Sequence, residues 1–252
     1  MTARQRCTAA AWGAAILAVL GACAAAESPA PAPAPAAAPA AAPLLDEASV
    51  RPGINDPYQG EVQVEEWMER FEGEDRELYA RRLDILEALR LRPGMVVADV
   101  GAGTGLFTLL MAGRVGEQGR VYAVDIVPEF LALIGERAQA AGLRNVVPVP
   151  GTERSIELAP GCADLAFLCD TYHHFEYPRS MLDSIRMALR PGGELVVVDF
   201  KRIPNVSGEW VMDHVRAGEE VVTQEIRSAG FVLVERVDLL DSNYFLRFRK
   251  DG

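Results

Sequence analysis

The sequence predicts an α/β fold: a largely parallel sheet with helices on both faces and one antiparallel strand near its end. Three observations carry this. From Met95 onward, short valine-rich runs alternate with amphipathic runs, the pattern of a sheet buried on both sides. A glycine-rich turn, "DVGAGTG", joins the first of those runs to the first helix. The chain closes on "FVLVERVDLL" and "YFLRFRK", two strand-like runs close enough to form a hairpin.

Length and charge set the frame. The chain has 252 residues and a formal net charge of -11, enough for one medium domain plus a tail. A domain of that size buries a core without disulfide staples. The acidic balance excludes a nucleic-acid grip, which needs a basic face; Arg81-Arg82 and Lys201-Arg202 are only short solvated pairs.

The front end has its own pattern. Arg4 and Arg6 precede an apolar stretch from Ala9 to Val19, too short to span a bilayer, and small residues lead to Cys23. "LGAC", ending on Cys23, resembles the bacterial lipobox. That resemblance implies a signal peptide over 1–22, lipidation of Cys23, and anchorage to a membrane of the bacterial cell envelope. Residues 23–60, opening on "AAAESPAPAPAPAAAPAAAP", are expected to be a disordered Ala/Pro spacer of extended character. At about 3.1 Å per residue its Ala/Pro part would reach about 60 Å. Cys7 falls in the signal, and Cys162 and Cys169 read as a loop residue and a buried strand thiol that do not pair.

The folded domain is expected over 61–252. "EVQVEEWMERFEGEDRELYARRLDILEALRLRPG" is a charged helical region, broken at Gly73 and ended by Pro93-Gly94. "MVVADV" is then a strand, "GLFTLLMAGRV" a helix, "GRVYAVDI" a strand. "PEFLALIGERAQAAG" is a helix opened by proline and closed by glycine. "NVVPV" and "ADLAFLCD" are strands, "RSMLDSIRMAL" a helix, "GGELVVVDF" a strand, and "DHVRAGEEVVTQEIRSAG" a helix before the terminal hairpin.

The glycine-rich turn carries the chemistry. Gly101, Gly103 and Gly105 allow a tight turn and close backbone approach by a ligand. Their G-x-G-x-G spacing is not the dinucleotide G-x-G-x-x-G. Asp99, two residues before the first glycine, would repel a pyrophosphate and suits a cationic ligand. Asp125 ends the second strand, where a carboxylate can accept ribose hydroxyls. A dehydrogenase is disfavoured on the same grounds.

"VADVGAGTG", "VYAVDI" and "ALRPGGELVVVDF" together make the chain resemble the class I S-adenosylmethionine-dependent methyltransferases of small-molecule type, from about Tyr79 to the C-terminus. The resemblance implies a Rossmann-like, seven-stranded sheet with S-adenosyl-L-methionine across the carboxyl ends of strands one to four. Gly101, Ala102, Gly103, Thr104 and Gly105 would line the methionine and ribose, with Asp99 near the amino group. Asp125 would bind the ribose hydroxyls and Ile126 would pack on adenine. Glu153 or Thr152, in "PGTERS", would lie near the adenine amino group.

"LCDTYHHFEYP" follows strand four and would face the transferable methyl group. Asp170, Thr171, Tyr172, His173 and His174 are therefore the substrate-side candidates, Asp170 also bordering the cofactor. His173 or His174, not both, is a candidate general base. A metal site is not expected from that pair, because the chain has only three histidines and no Cys/Asp/Glu cluster at ligand spacing joins them. His214 and Arg216 are placed to reach the pocket. Trp67, Phe71 and Tyr79 are aromatic candidates for an N-terminal helical lid, with Tyr79 assigned to the substrate. The expected function is methyl transfer to a small-molecule acceptor. A protein or lipid acceptor is one alternative, and a non-catalytic envelope binding protein on the same scaffold is another. The last is motivated by compartment, since the cofactor is made in the cytoplasm.

Overall fold

The computed structural model describes residues 46–58, 60 and 62–251. The signal-peptide, lipidation and Ala/Pro-spacer expectations, Cys23 included, fall outside those residues, apart from the last part of the spacer. That part differs from expectation. Residues 46–58 pack on the domain. The Glu47 carboxylate accepts the Arg179 and Ser180 amides (2.9 and 2.8 Å) and the Ser180 hydroxyl (2.7 Å). Ile54 and Asn55 are buried, and Asp56–Tyr58 forms a short 3₁₀ turn. The Ala/Pro texture ends at Pro43, and the apolar and capping groups after it suffice to order the backbone.

Three helices follow: α1 (Val64–Phe71), α2 (Glu77–Ala80) and α3 (Arg82–Ala88). The break between α1 and α2 lies at Gly73, as its sequence suggests. The alternating series is then β1 (Val96–Val100), α4 (Leu106–Val115), β2 (Arg120–Asp125), α5 (Pro128–Ala140), β3 (Val146–Pro150), β4 (Ala163–Cys169), α6 (Pro178–Ala188) and β5 (Leu189–Phe200). The stretch expected as one helix before the hairpin is two, α7 (Glu209–His214) and α8 (Glu219–Ser228), parted by Val215 to Gly218. Gly218 is extended and caps the second helix, which the helical periodicity alone could not show. β6 (Phe231–Val237) and β7 (Asn243–Lys250) complete the fold.

The seven strands form one sheet of order β3-β2-β1-β4-β5-β7-β6. All neighbours are parallel except β5–β7 and β6–β7, so β7 runs antiparallel to both of its neighbours. Alternation within each strand divides the core. Ala98, Val100, Ala166, Leu168, Leu195 and Val197 face one layer, which α6 and α8 cover with Leu182, Ile185, Val222 and Ile226. Val97, Leu165, Phe167, Val196 and Val198 face the other, covered from α3 and α4 by Ile85, Phe107 and Met111. Strand order reverses beside β1: β2 and β3 lie on one side of it, and β4 and β5 on the other. A crevice therefore opens at the carboxyl ends of β1, β2 and β4, the position where sheets of this type bind ligands.

Candidate active site

The glycine-rich turn forms the floor of that crevice. Gly101 has φ +70° and a Cβ there would lie 2.3 Å from Thr171 Cγ2. Gly105 has φ +85° and a Cβ would lie 2.7 Å from Ile134 Cγ1. No side chain fits at either point without displacing a neighbour, and at Gly101 the backbone itself lines the cavity. The cavity runs from this turn to the N-terminal segment that covers it. Asp99, Gly101, Ala102, Gly103, Thr104, Asp125, Ile126, Glu153 and Asp170 all contribute to its wall. Gly105 sits directly beneath, as the cap of α4.

The two expected carboxylates are buried and oriented. Asp125 Oδ2 accepts the Gly103 amide at 2.8 Å and Oδ1 accepts the Val127 amide at 2.9 Å. Each oxygen keeps a lone pair for a ligand. Burial raises its pKa against those amide hydrogen bonds. Asp99 Oδ2 accepts the Thr108 hydroxyl at 2.5 Å, and burial pushes its pKa up to about 7. Ile126 is 41% exposed beside the cavity, an apolar surface offered to a ligand.

Asp170 differs in role from expectation. Its oxygens are taken by Arg76 (2.5 Å) and by Asn243 Nδ2 (2.6 Å), and its backbone sits at φ +49°. Burial raises its pKa to about 6 despite Arg76. Asp170 therefore fastens the end of β4 to the N-terminal helices at the cavity wall.

Those helices and the strap before them close the site. Tyr58 stacks on Trp67 (4.8 Å between ring centres), Trp67 packs on Phe71 (5.1 Å), and Phe71 approaches Phe130 of α5 (6.3 Å). Glu72 holds the cover down: it pairs with Arg137 at 2.5 Å and accepts the Thr104 hydroxyl at 2.7 Å. Burial opposes its charge, yet Arg137 and Thr104 hold its pKa below the usual range. Of the expected aromatic lid residues, Phe71 lines the cavity and Trp67 supports it from behind. Tyr79 does neither: it lies under the Arg82 guanidinium (4.1 Å), outside the cavity wall. Leu78, on the inward side of α2, takes its place.

On the substrate side, Tyr172 is a correction. It is fully buried, its hydroxyl donates to Glu225 (2.8 Å), and it packs in the core beside Phe175. The turn after β4 points Tyr172 into the α8 layer and His174 into the cavity. Arg216 is likewise engaged, forked onto Glu225 at 2.9 and 2.8 Å. His173 is buried, its Nδ1 2.8 Å from Asp199 Oδ1, and its amide donates to Asp199 Oδ2 at 3.0 Å. Burial works against the charged imidazole, but Asp199 leaves its pKa above the ordinary value. His174 has the opposite setting. Burial and the neighbouring His173 and His214 bring it down to about 2, a poor proton acceptor for a general base. His174 Nδ1 is buried without a hydrogen-bond partner.

His214 arrives from the end of α7. Its ring centre lies 5.3 Å from that of His173 and 5.2 Å from that of His174. One ligand atom from each of the three lies within 4.8 Å of the others. The chain's third histidine thus stands beside the His173–His174 pair, a neighbour that sequence spacing did not give it. Forty residues separate the pair from His214, and only the fold brings them together.

Sequence reasoning also missed Tyr58, Arg76 and Asp199. Tyr58 lay in the stretch read as spacer, and Arg76 was one of many charges. Asp199 stands one residue before the end of a buried valine-rich strand, much as Asp125 ends another, and that similar position was a usable signal.

The residues suit S-adenosylmethionine. A side-chain-free backbone cradle, a ribose-type carboxylate at the end of β2, a second buried carboxylate for a cation, and the apolar Ile126, Val127 and Phe130 form one wall. Comparisons agree. Residues 98–197 match the family model described as "Methyltransferase domain". The demethylmenaquinone methyltransferase of Bacillus mycoides is 24% identical over 120 residues, 48% of this chain and 51% of that protein. The ubiquinone/menaquinone biosynthesis C-methyltransferase of Hydrogenovibrio crunogenus is 30% identical over 119 residues, 47% of each. The chain thus spans about half the length of these curated relatives. A SAM-dependent methyltransferase from Aquifex aeolicus shares the fold with a TM-score of 0.67 at 24% identity, covering 75% of this chain and 99% of that one. Residues 98–197 are therefore similar to methyltransferase domains, and S-adenosylmethionine is the cofactor that this similarity and the fold imply.

Proposed function

We propose that the protein transfers a methyl group from S-adenosylmethionine to a small-molecule acceptor seated between the Gly101 turn, Tyr58 and His174. The observation that carries this is the cavity itself. One concave wall joins Asp99, the Gly101 turn and Asp125 to Tyr58, Phe71 and His174, so a cofactor on the turn and a small acceptor under the cover would face each other. Its cover of Tyr58, Phe71 and Arg76 favours a compact acceptor over a protein segment.

When bound, the cofactor supplies an electrophilic sulfonium methyl group. The chain's part is binding and orientation. Asp125 would take the ribose hydroxyls, Asp99 the ammonium, Ile126 the adenine face, and Glu153 the adenine edge. The aromatic cover excludes water. The relatives' printed activities include carbon methylation in quinone biosynthesis, which supports testing phenolic and quinol acceptors first. The N-terminal pattern at Cys23 supports an enzyme tethered to the bacterial envelope.

The test is to incubate the chain with S-adenosylmethionine and a panel of small phenols, quinols and amines, and to follow S-adenosylhomocysteine and acceptor mass. The reading expects acceptor-dependent turnover with a gain of one methyl group. Turnover only with proteins or lipids would replace the acceptor class.

A further inference from the structure

His173, His174 and His214 are the chain's three histidines, and the fold gathers all of them at one spot beside the cavity. We propose that they bind a divalent transition-metal ion, Zn²⁺ foremost, at the end of the cavity bounded by the turn after β4. We further propose that the open position of this ion takes a hydroxyl oxygen of the acceptor. The metal site stands on its own geometry; the acceptor clause rests on the methyltransferase reading.

The donor set is all imidazole. Such sites suit Zn²⁺ and its first-row neighbours, whereas Mg²⁺ and Ca²⁺ require oxygen ligands. Three protein ligands with a free fourth position is the arrangement of reactive rather than structural zinc sites. The surroundings fit as well. Asp199 accepts from His173 Nδ1, which fixes the tautomer and leaves Nε2 as the donor to metal. Asp199 is itself held by the His173 and Phe200 amides. His174 Nδ1 is a buried polar atom with no protein partner, and a metal ion would satisfy it. Trp210 stacks on His214 at 4.6 Å and 19°, which orients the ring. Arg70, over the Trp67 and Trp210 rings, opposes a cation; the Asp199 carboxylate offsets it.

Ligand atoms within 4.8 Å must draw in to about 3.3 Å for a tetrahedral ion with bonds near 2.05 Å. His214 would make most of that movement: it ends a six-residue helix and is half-buried, whereas His173 is buried and bonded to Asp199. His174 lines the cavity, so an ion held there reaches a bound acceptor. An acceptor hydroxyl that coordinates it gives its proton to solvent and becomes the oxyanion that methyl transfer to oxygen, or to the adjacent ring carbon, requires. The acceptor class that follows is an enol, phenol or catechol.

The experiment uses the tag-free, chelator-treated full chain. Co²⁺ is titrated while visible absorption is followed, and Zn²⁺ affinity is measured by competition with a chromophoric chelator. One ion per chain, four-coordinate Co²⁺ bands displaced by Zn²⁺, and loss of Zn²⁺ affinity by about a hundredfold in His214→Ala support the site. His214 is half-buried at the end of the short α7, and thermal melting checks that the variant keeps its fold. Asp199→Asn should lower affinity about tenfold with the ligands intact. Substoichiometric metal, or affinity unchanged in His214→Ala, overturns the site. Cofactor titration on the same sample separates the two readings: cofactor binding without metal removes only this inference, and metal binding without cofactor removes only the acceptor clause.

Discussion

Arg76 and Asp170 meet at 2.5 Å across the wall of the cavity, one from the N-terminal cover and the other from the end of β4. The arginine side chain is 26% exposed and the aspartate 8%. The pair therefore ties the N-terminal helices, at the start of α2, to the end of β4 at the cavity. Arg76 also donates to the Phe71 carbonyl at 3.0 Å and lies over the Phe71 ring, so the same guanidinium sets the aromatic wall.

Removing Arg76 leaves the Asp170 carboxylate buried with Asn243 as its remaining side-chain partner. Arg76→Ala should cost about 2 kcal/mol of unfolding free energy. It should also raise hydrogen exchange across residues 62–80 more than across the sheet. Denaturant titration and exchange mass spectrometry check both. A variant as protected as the parent over that segment would show that the cover is held elsewhere.

Asp99 gives a pH dependence with a defined sign. Burial raises its folded pKa to about 7 from 3.8, so the folded state holds a proton that the unfolded chain has lost. Stability from this group is full below pH 4 and declines as pH rises to about 7, with a limiting slope of about 1.4 kcal/mol per pH unit. Asp125 shifts in the same direction. Glu72 and Glu77 are lowered, so their contributions vanish only as pH falls through the acid range below 4.5. Chemical denaturation from pH 5 to pH 8 should show the cofactor-free chain weakening. Asp99→Asn, which keeps an acceptor for Thr108, should flatten the slope.

A methyl group at Gly101 meets Thr171 at 2.3 Å and must also adopt φ +70°. Gly101→Ala should destabilise by about 2 kcal/mol or more and abolish cofactor binding, because the turn can only move into the cavity. Adding Thr171→Ala should recover part of the stability and leave the backbone strain. Full recovery would mean that the positive φ costs nothing here.

Glu47 caps α6 from 132 residues away, with three hydrogen bonds to Arg179 and Ser180. Glu47→Ala should lower stability by about 1 kcal/mol, the value of a lost N-terminal cap. A chain cut after residue 58 should lose more, since it also loses Ile54, Asn55 and Tyr58. Equal melting temperatures would return 46–58 to the spacer.

The sequence made the sheet legible because each of its signals was local. Valine-rich runs, Pro128 at a helix start, and the glycine spacing after β1 each constrain their own few residues, and all agreed on one architecture. The floor of the site was legible for the same reason: Asp99, Gly101, Gly103 and Asp125 act from strand ends whose positions the pattern fixes. What was not legible depends on distance. Tyr58 and Arg76 reach the cavity only because the N-terminal strap folds back over it. Tyr172 and His174 are two residues apart on a tight turn, and only its geometry sends one into the core and the other into the cavity. His214 joins His173 through an α7 whose end at Val215 the helical periodicity ran through.

The central claim is a working S-adenosylmethionine site built on Asp125 and the Gly101 turn. Titration calorimetry of S-adenosylmethionine into the chain and into Asp125→Ala tests it most directly. The account predicts one site per chain, with affinity reduced about tenfold or more in the variant, the worth of charge-assisted hydrogen bonds of about 1.5–3 kcal/mol. No heat of binding in a folded chain, or equal affinity in both proteins, would contradict it.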